Sequence, residues 1–300
     1  MTRMKAYTLA VALAGSSMLT ASCAHSAAQG PDACSIDLTG VTDLLVNIPF
    51  KVVDGRIYVD ARVNGKGPFI FAIDTGASGI GRADASLTSA LALPIKHRGE
   101  TTDGVNSATV DMTSFESLEI DGLVRRDVEV ITRDYNSRMT PEMAIAGIIG
   151  RDFFSDGTLI IDYPLKMLSF SRTAAVPAGD KSALPYDRPF RVPVTIGGIT
   201  VDGQLDTGAN VELVMPKSLF DKVAGGPLET AGDATLTNST LKTGSSVVRG
   251  PFIIGNASLS NVNVRVSDRF PELMVGARAL QNFRIMIDQR SKQVAVCPTK

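Results

Sequence analysis

One eight-residue segment occurs twice in this 300-residue chain, and this repetition constrains the fold more than any other feature. Phe71-Ala-Ile-Asp-Thr-Gly-Ala-Ser78 recurs as Gly203-Gln-Leu-Asp-Thr-Gly-Ala-Asn210, which places Asp74 and Asp206 132 residues apart. Such a period is far longer than the roughly 20 to 50 residues of solenoid repeats. The sequence therefore predicts one domain that is written twice.

Three further landmarks follow the repeated segment in the same order in both halves. Their pairs are Ile120–Val130 with Ile254–Val264, Ile148-Ile149-Gly150 with Met274-Val275-Gly276, and Ile161-Asp162 with Ile287-Asp288. We expect the aspartates of the last pair, Asp162 and Asp288, to be turn residues. The landmarks delimit halves at residues 44–173 and 183–298, and the small, Pro- and Gly-containing segment 174–182 is the expected linker.

The residue pattern within each half indicates strands. Arg56–Val63 and Arg191–Ile196 alternate with a period of two, and each is followed by a turn sequence, Asn64-Gly65 or Gly197-Gly198. Return strands at 69–73 and 200–205 then lead into the two Asp-Thr-Gly segments. Short helices are expected at 83–93, 150–154, 216–223 and 276–280. The predicted fold class is all-β, with two homologous halves related by a pseudo-twofold axis and few short helices.

The composition excludes several function classes. Thirty basic and 31 acidic residues leave a net charge of −1, whereas a nucleic-acid groove normally shows a basic surplus, so we expect no nucleic-acid partner. Two histidines and three cysteines are too few for zinc sites of the usual kinds, and we predict no metal and no cofactor. His97 fits no catalytic pattern and is expected at the surface. Carboxylates are therefore the abundant acid–base groups.

The paired Asp-Thr-Gly segments suit a specific chemistry. One copy alone is ordinary turn sequence, but two copies related by a pseudo-twofold axis bring Asp74 and Asp206 together. Two adjacent carboxyls cannot easily both ionise, so one keeps a proton while the other stays charged. The charged carboxylate can take a proton from water while the neutral one donates to a carbonyl oxygen. Such a pair hydrolyses amides without histidine or a covalent intermediate.

These segments resemble the active-site motif of the retropepsin-like aspartic peptidases. Ala72–Ala77 matches the family pattern of two hydrophobic residues followed by Asp-Thr-Gly-Ala, and 204–209 matches it except at the polar Gln204. Ile148–Asp152 resembles the second family motif, two hydrophobic residues followed by Gly-Arg and Asn or Asp. In the other half, Ala277 stands where Arg151 stands in the first, and we expect Arg151 to have a structural role.

The resemblance implies an acid-protease fold of two closed-barrel-like lobes. The active site would lie at the boundary between the two halves, which we call the seam. The resemblance also implies that Asp74 and Asp206 are catalytic, that the threonines interlock the loops, and that the glycines permit their close approach. The hydrophobic-hydrophobic-Gly segments would run under the loops and form a psi-shaped structure. The residues concerned are Thr75, Gly76, Ala77, Thr207, Gly208 and Ala209 in the loops, and Ile149, Gly150, Val275 and Gly276 beneath them.

The family also uses a β-hairpin flap between its two motifs. The candidates are residues 98–107, with Asp103 and Gly104, and residues 230–246, with Thr243 and Gly244. Simple surface loops are the alternative for both. Under the flap, a polypeptide substrate in extended conformation would bind as an added strand. Pepsin-like enzymes carry Ser or Thr where Ala77 and Ala209 stand; without these hydroxyls, we expect activity closer to neutral pH.

Residues 1–28 are typical of an export signal, because basic residues precede an apolar run from Ala6 to Leu19 and small residues follow. Two cleavage sites remain open. Residues 26–28 suit ordinary signal peptidase, whereas 19–23 resemble a bacterial lipobox with Cys23 as the lipidated residue. The alternative is that Cys23 is discarded with the signal. We therefore expect a periplasmic protein, with an outer-membrane lipid anchor if Cys23 is lipidated.

Two cysteines remain after export, Cys34 and Cys297. An exported protein with two thiols favours a disulfide between them, and two unpaired thiols are the alternative. Since both halves lie in one chain, we expect a monomeric aspartic endopeptidase. Two alternatives stay open. The chain could be a non-catalytic envelope module that binds peptides on the same fold, or each half could pair with another chain and not with its sibling.

Overall fold

The computed structural model describes residues 32–36, 41, 43–224 and 226–298. The predicted signal at 1–28, with its lipidation candidate Cys23, lies outside the described residues. Most of the described chain is in strands, which confirms the all-β class. None of its helices has the length and apolar character of a membrane-spanning helix.

The first half contributes eleven strands, numbered in chain order. They are β1 Leu44–Pro49, β2 Lys51–Val53, β3 Arg56–Val63, β4 Lys66–Asp74, β5 Gly81–Asp84, β6 His97–Thr102, β7 Ser107–Ile120, β8 Leu123–Arg133, β9 Gly147–Gly150, β10 Thr158–Asp162 and β11 Met167–Ser171.

The second half contributes twelve strands. They are β12 Ala183–Pro185, β13 Arg191–Ile196, β14 Ile199–Asp206, β15 Leu213–Pro216, β16 Glu229–Thr235, β17 Thr240–Val248, β18 Phe252–Ile254, β19 Ala257–Leu259, β20 Val262–Ser267, β21 Leu273–Gly276, β22 Phe283–Asp288 and β23 Gln293–Pro298.

The helices in the described residues are short. The α-helices are α1 Ala85–Ala90, α2 Lys217–Val223 and α3 Ala277–Leu280, and the 3₁₀ helices are Ala33–Ser35, Pro141–Met143 and Arg151–Phe154.

Three sheets organise these strands. An eight-stranded sheet in the first half has the order β2-β3-β4-β9-β5-β8-β7-β6, and a nine-stranded sheet in the second has the order β16-β17-β20-β15-β21-β14-β13-β18-β19. The third sheet takes strands from both halves, in the order β1-β11-β10-β22-β23-β12. The two halves are therefore joined by a shared, hydrogen-bonded sheet as well as by the segment between them.

The two half-sheets place the repeated motifs in the same register. In the first half, β4 runs parallel to β9 with Asp74 opposite Gly150, and in the second, β14 runs parallel to β21 with Asp206 opposite Gly276. The hairpins that lead into the aspartates also match. The turn residues Asn64 and Gly65 have φ of 53° and 72°, the positive values that a two-residue hairpin turn requires.

The helices begin later than the sequence predicts. The predicted helix at 83–93 is wrong at both ends: Ala83 still belongs to β5, and Asp84 is an extended N-cap whose side chain accepts from the amide of Ser86. Ala92 takes a left-handed φ of 52° just beyond the helix. Pro216 and the glycines at 150 and 276 likewise precede their helices as extended caps.

The core is continuous through both halves. Buried aliphatic and aromatic side chains from all three sheets form one large cluster, which includes Phe71, Ile149, Phe154, Leu205 and Val275. Ile149 and Val275 are completely buried. This packing fixes β9 and β21 beside the ends of β4 and β14, where the two aspartates lie.

The predicted disulfide is present and lies beside the shared sheet. Cys34 is bonded to Cys297 in β23, which ties residues 263 positions apart in the chain. Cys297 is buried in a small apolar cluster with Ile160 of β10 and Met286 of β22. The bond therefore anchors the first described residues to the seam between the halves.

Candidate functional site

The two Asp-Thr-Gly loops meet where β4 and β14 end. The amide of Thr75 donates to Oγ1 of Thr207 at 3.1 Å, and the amide of Thr207 donates to Oγ1 of Thr75 at 3.0 Å. Each threonine hydroxyl then donates across the seam, Thr75 to the carbonyl of Leu205 at 2.9 Å and Thr207 to that of Ile73 at 2.8 Å. Both threonines are buried, so four hydrogen bonds lock one loop to the other.

The loop glycines leave room for the opposite carboxylates. A Cβ on Gly76 would lie 2.8 Å from Oδ1 of Asp206, and closer still to its other oxygen. On Gly208 it would lie 2.6 Å from Oδ1 of Asp74. No carbon atom fits at those distances. Each carboxylate thus lies directly over the backbone of the facing loop, and the two aspartates are brought together.

Backbone amides orient both carboxylates. The amide of Ala77 donates to Oδ1 of Asp74 at 2.9 Å, while those of Gly208 and Ala209 donate to Oδ1 of Asp206 at 2.8 and 3.2 Å. The residues after each glycine are alanines, which provide no hydroxyl. The second oxygen of each carboxylate is therefore free of these backbone donors.

Asp206 has a perturbed acidity. Its burial, first, and then the negative charge of Asp74 raise its pKa to about 7, although the amides of Gly208 and Ala209 oppose the shift. Asp74 contributes to the rise in a second way, as a hydrogen-bond partner of Asp206. The pair therefore holds a shared proton up to about neutral pH.

The segments behind the loops also need glycine. A Cβ on Gly150 would lie 3.0 Å from the carbonyl oxygen of Ala77, and one on Gly276 would lie 3.0 Å from that of Ala209. In the first half, Nη1 of Arg151 donates to the carbonyl of Gly76 at 3.2 Å. Arg151 thus supports the loop from behind, the structural role expected for it.

The loop of the second half is supported by residues that the sequence motifs do not include. Nε of Arg56 in β3 donates to the carbonyl of Gly208 at 2.8 Å across the seam. Asp54, which has a left-handed φ of 48°, accepts from Asn210 and from Arg278 at 2.6 Å each. The sequence signal was the charged pair Asp54 and Arg56 in a tight hairpin, two residues apart.

The hairpins expected to be flaps contact each other. The turn between β6 and β7 contains Asp103 and Gly104, and the turn between β16 and β17 contains Asn238. Oδ2 of Asp103 accepts from the amide of Asn238 at 2.7 Å, and Nδ2 of Asn238 donates to the carbonyls of Thr101 and Asn106 at 3.2 Å each. These bonds join the two tips across the seam.

Two of the flap candidates lie elsewhere. Thr243 and Gly244 are within β17 rather than at its turn, because the hairpin reverses earlier, between Thr235 and Thr240. Thr243 is buried and donates to the carbonyl of Gly232 at 3.0 Å. Thr243 therefore stabilises the hairpin from within, and neither residue lies at its tip.

The first hairpin reaches into the second half. Val105 at its turn packs on an apolar cluster that includes Val214, Phe270 and Met274. Gly104 lies near Pro271, since a Cβ on it would be 3.9 Å from Cγ of the proline. The hairpin tips therefore cover the seam on the same side as this cluster.

His97, Asp162 and Asp288 make contacts other than with the aspartate pair. His97 is exposed, and its Nε2 bonds Glu129 at 2.9 Å, which raises the histidine pKa. Asp162 and Asp288 accept backbone amides at turns, from Leu165 and Arg290 respectively. Within the described residues, no group of three or more His, Cys, Asp or Glu side chains is placed to hold a metal ion.

Comparison with known protein families agrees with this geometry. A family model described as aspartyl protease matches residues 59–153. The matched segment contains Asp74, its loop and the Gly150 segment behind it. The match supports an aspartyl protease family, and hence a protease. No curated protein matches the chain.

Proposed function

We propose that this chain is an aspartic endopeptidase of the retropepsin-like, two-lobed type, complete within one polypeptide. The observation that carries the proposal is the placement of Asp74 and Asp206 over each other's loop, locked by the threonine pair. Residues 59–153 match the family model only in the first half. The second half supplies the same motif in the same register, so it completes the pair that one half alone lacks.

The proposed mechanism uses the shared proton. Asp206 keeps the proton, because burial and the charge of Asp74 raise its pKa to about 7. The carboxylate of Asp74 takes a proton from a water molecule as the water oxygen attacks the peptide carbonyl carbon, while Asp206 donates to the carbonyl oxygen. The tetrahedral intermediate then collapses. Asp74 passes the proton that it took from the water to the nitrogen, Asp206 takes back a proton from a hydroxyl of the intermediate, the C–N bond breaks, and two chains leave.

The oriented carboxylates support this assignment. Since backbone amides occupy Oδ1 of both aspartates, their other oxygens are available to the water and the substrate. The raised pKa supports activity that extends toward neutral pH, which we expected from Ala77 and Ala209. The paired hairpin tips would hold an extended polypeptide as an added strand and exclude water.

A cleavage assay with matched variants tests the function. The wild type, D74N, D206N and the control D202N, an exposed aspartate on β14, are incubated with a mixture of unstructured peptides between pH 4 and 8. We expect the wild type and D202N to cleave the peptides, and a statine-type compound to inhibit this cleavage. We expect no cleavage by D74N or D206N, although circular dichroism should show that both are folded. Substantial cleavage by D74N or D206N contradicts the mechanism.

The same assay separates the alternative. A non-catalytic peptide-binding module would bind members of the mixture without cutting them, and its affinity would be the same in wild type and D206N. Sedimentation of the active species tests the expectation of a monomer. Cleavage that appears only in a dimeric fraction would mean that each half pairs with another chain.

We also propose that the protein works in the cell envelope. The export-like sequence of residues 1–28 supports this location, and so does the Cys34–Cys297 bond, because disulfides persist in oxidising compartments. Fractionation of cells that express the wild type and C23S tests both points. We expect the wild type in the periplasm or outer membrane, and loss of membrane association in C23S identifies a lipid anchor.

A further inference from the structure

A buried arginine shares the sheet face of Asp74. Arg82 in β5 lies opposite Ile148 in β9, and Ile148 lies opposite Ala72 in β4. Residues directly opposite one another on neighbouring strands project to the same face of a sheet, and so do residues two apart on one strand. Arg82 therefore projects to the face of Asp74. The intervening positions, such as Ile73 and Ile149, face the core.

The guanidinium of Arg82 is buried without a matching carboxylate. The residue is 8% exposed, and its Nε has no hydrogen-bond partner. Asp84 lies two residues on, but its carboxylate accepts from Ser86 and from the amide of Tyr135 at 2.8 Å. A buried charge that is left unpaired is costly, so such a group usually has a partner. Here the partner is missing among the described residues.

The residues around Arg82 are mostly apolar, and one of them carries a polar hydroxyl. Tyr135, Ile145 and Ile148 pack together in one cluster with Ala72. The hydroxyl of Tyr135 is buried and lies next to Arg82. Burial, first, raises the Tyr135 pKa, whereas the charge of Arg82, a hydrogen bond with Arg82 and the charge of Arg133 lower it, and the charge of Asp74 raises it. Tyr135 is thus within electrostatic reach of both Arg82 and Asp74.

A second arginine adds to the positive character of this site. Cζ of Arg133 lies 5.9 Å from the centre of the Tyr135 ring. Nη1 of Arg133 donates to the neutral side chain of Asn238 at 2.9 Å, so that bond leaves its charge uncompensated. Two guanidinium groups therefore lie beside Tyr135, and Nε of Arg82 is free to donate. An anionic group of a ligand is what they can bind.

The equivalent site of the other half has the opposite chemistry. There, Val214 in β15 lies opposite Met274 in β21, in the same arrangement as Arg82 opposite Ile148. Val214 and Met274 belong to the apolar cluster with Phe270. A pseudo-twofold axis through the dyad would place these two sites at equal distances on opposite sides of a bound peptide bond.

We propose that Arg82 is a specificity residue, which selects polypeptides with an Asp or Glu side chain at one subsite and an apolar side chain at the equivalent subsite beyond the cleaved bond. This inference rests on the proposed peptidase function. The acidic side chain would form a bidentate pair with the Arg82 guanidinium and accept from the Tyr135 hydroxyl. The substrate thus supplies the counter-charge that the described residues do not.

Peptide sets that differ at one position test the proposal. Each set carries Glu, Gln or Lys at one position near the scissile bond, in an otherwise apolar and neutral peptide, and kcat/KM is measured for the wild type, R82Q and R126Q. Arg126 is exposed on β8 of the same half and is the matched control. We expect the wild type and R126Q to prefer Glu over Gln about 10- to 100-fold at one position, the range of a hydrogen bond to a charged group.

In the variant R82Q, the ratio of kcat/KM for the Glu peptide to that for the Gln peptide should fall to about one. If the wild type cleaves the peptides without preferring Glu at any position, or if R82Q keeps the preference, the proposal is wrong. If R82Q does not fold, the wild type alone still tests the proposal: it should prefer Glu over Gln, and added salt should reduce that preference. An equal loss of cleavage for all R82Q substrates, with a shifted pH profile, would instead mean that Arg82 acts only on the dyad.

A binding measurement separates this proposal from the peptidase function. Titration of the Glu and Gln peptides into wild type and R82Q by calorimetry needs no turnover. If nothing is cleaved, yet the Glu peptide binds about 10-fold more tightly in an Arg82-dependent way, the subsite stands and the peptidase function falls. If neither peptide binds or is cleaved, both proposals fall.

Discussion

Thr75 and Thr207 bond each other twice, each through its amide to the hydroxyl oxygen of the other, at 3.1 and 3.0 Å. These two bonds cross the seam between the halves in a buried setting. The two hydroxyls also donate across the seam, Thr75 to the carbonyl of Leu205 and Thr207 to that of Ile73. The position of each aspartate is therefore set by the opposite half.

Replacement of either threonine by valine keeps the volume but removes both functions of the hydroxyl. We expect T75V and T207V each to lower the free energy of unfolding by about 1 to 3 kcal/mol, because a buried amide and a carbonyl lose their partners. The double variant should lose less than the sum of the two single losses. Urea unfolding measures this, with T109V on the exposed face of β7 as the control; a T75V indistinguishable from T109V contradicts the role of the lock.

The loop glycines should tolerate no side chain. In G208A the new Cβ would overlap the carboxylate of Asp74, so the loop or the aspartate must move by an ångström or more. A displacement of that size can reduce kcat about 100-fold. The control is G226A, since a Cβ there meets nothing within 4 Å. Peptide cleavage and a crystal structure of G208A check the result, and an active G208A with unmoved carboxylates would be incompatible with this geometry.

The acidity of Asp206 should appear in the stability of the protein. Its pKa is raised to about 7 in the folded protein, from the ordinary value of 3.8 that applies to the unfolded chain. Between these pH values the folded chain binds a proton that the unfolded chain has lost. The free energy of unfolding should therefore fall as pH rises from about 4 to 7, at most by roughly 1.4 kcal/mol per pH unit from this group.

The variant D206N removes that proton uptake. We expect its stability to change less with pH in this window, and to exceed that of the wild type at pH 8, whereas D202N should follow the wild type. Urea unfolding at pH 4, 6 and 8 provides the comparison. Parallel curves for wild type and D206N would show that Asp206 carries no extra proton in the folded state.

The contact between hairpin tips depends on Asn238, whose side chain bonds Thr101, Asn106 and Arg133. In N238A these bonds are lost, and the tips should separate more often. We expect faster hydrogen exchange of the amides of Asp103–Asn106 and, in the peptidase assay, a higher KM with a smaller change in kcat. The exposed neighbour Thr237 provides the control T237A. Unchanged exchange in N238A would mean that other contacts hold the hairpins.

The disulfide should contribute to stability through the unfolded state. Cys34 and Cys297 are 263 positions apart, so the bond restricts most of the unfolded chain. We expect C34S together with C297S to reduce the free energy of unfolding by about 2 to 5 kcal/mol. Unfolding of the wild type with and without reductant measures the same contribution of the disulfide to the free energy of unfolding. The loss caused by the reductant should equal the loss in the double variant. No loss in either experiment would contradict this contribution.

Much of this architecture could be predicted from short-range patterns. The alternation in Arg56–Val63 and the Asn64-Gly65 turn define a hairpin locally, and the structure has that strand with the same bounds. The repeated Asp-Thr-Gly segments required no knowledge of packing either. Helix starts were less predictable, because the residue before α1 is an extended cap whose geometry depends on a hydrogen bond from Ser86.

Long-range relations could not be predicted. The charged pair Asp54 and Arg56 is visible in the sequence, but nothing near it indicates that Arg56 bonds Gly208. Likewise, nothing near Thr243 shows where its hairpin turns. The burial of Arg82 was also hidden, because a single arginine after Ile80 and Gly81 is equally consistent with an exposed strand edge. Its surroundings come from β8 and β9, which are far away in the chain.

The shared sheet has a consequence for how the protein is made. β10 in the first half takes β22 as its neighbour, and β23, which follows the second aspartate by nearly ninety residues, closes the sheet against β12. A ribosome that has already delivered Asp206 has yet to deliver these strands. The nascent chain thus carries both aspartates before the sheet that joins their halves exists. Synthesis of residues 283–298 is the step that allows this sheet to form, so the two halves of a chain that stops before residue 283 lack the strands that connect them.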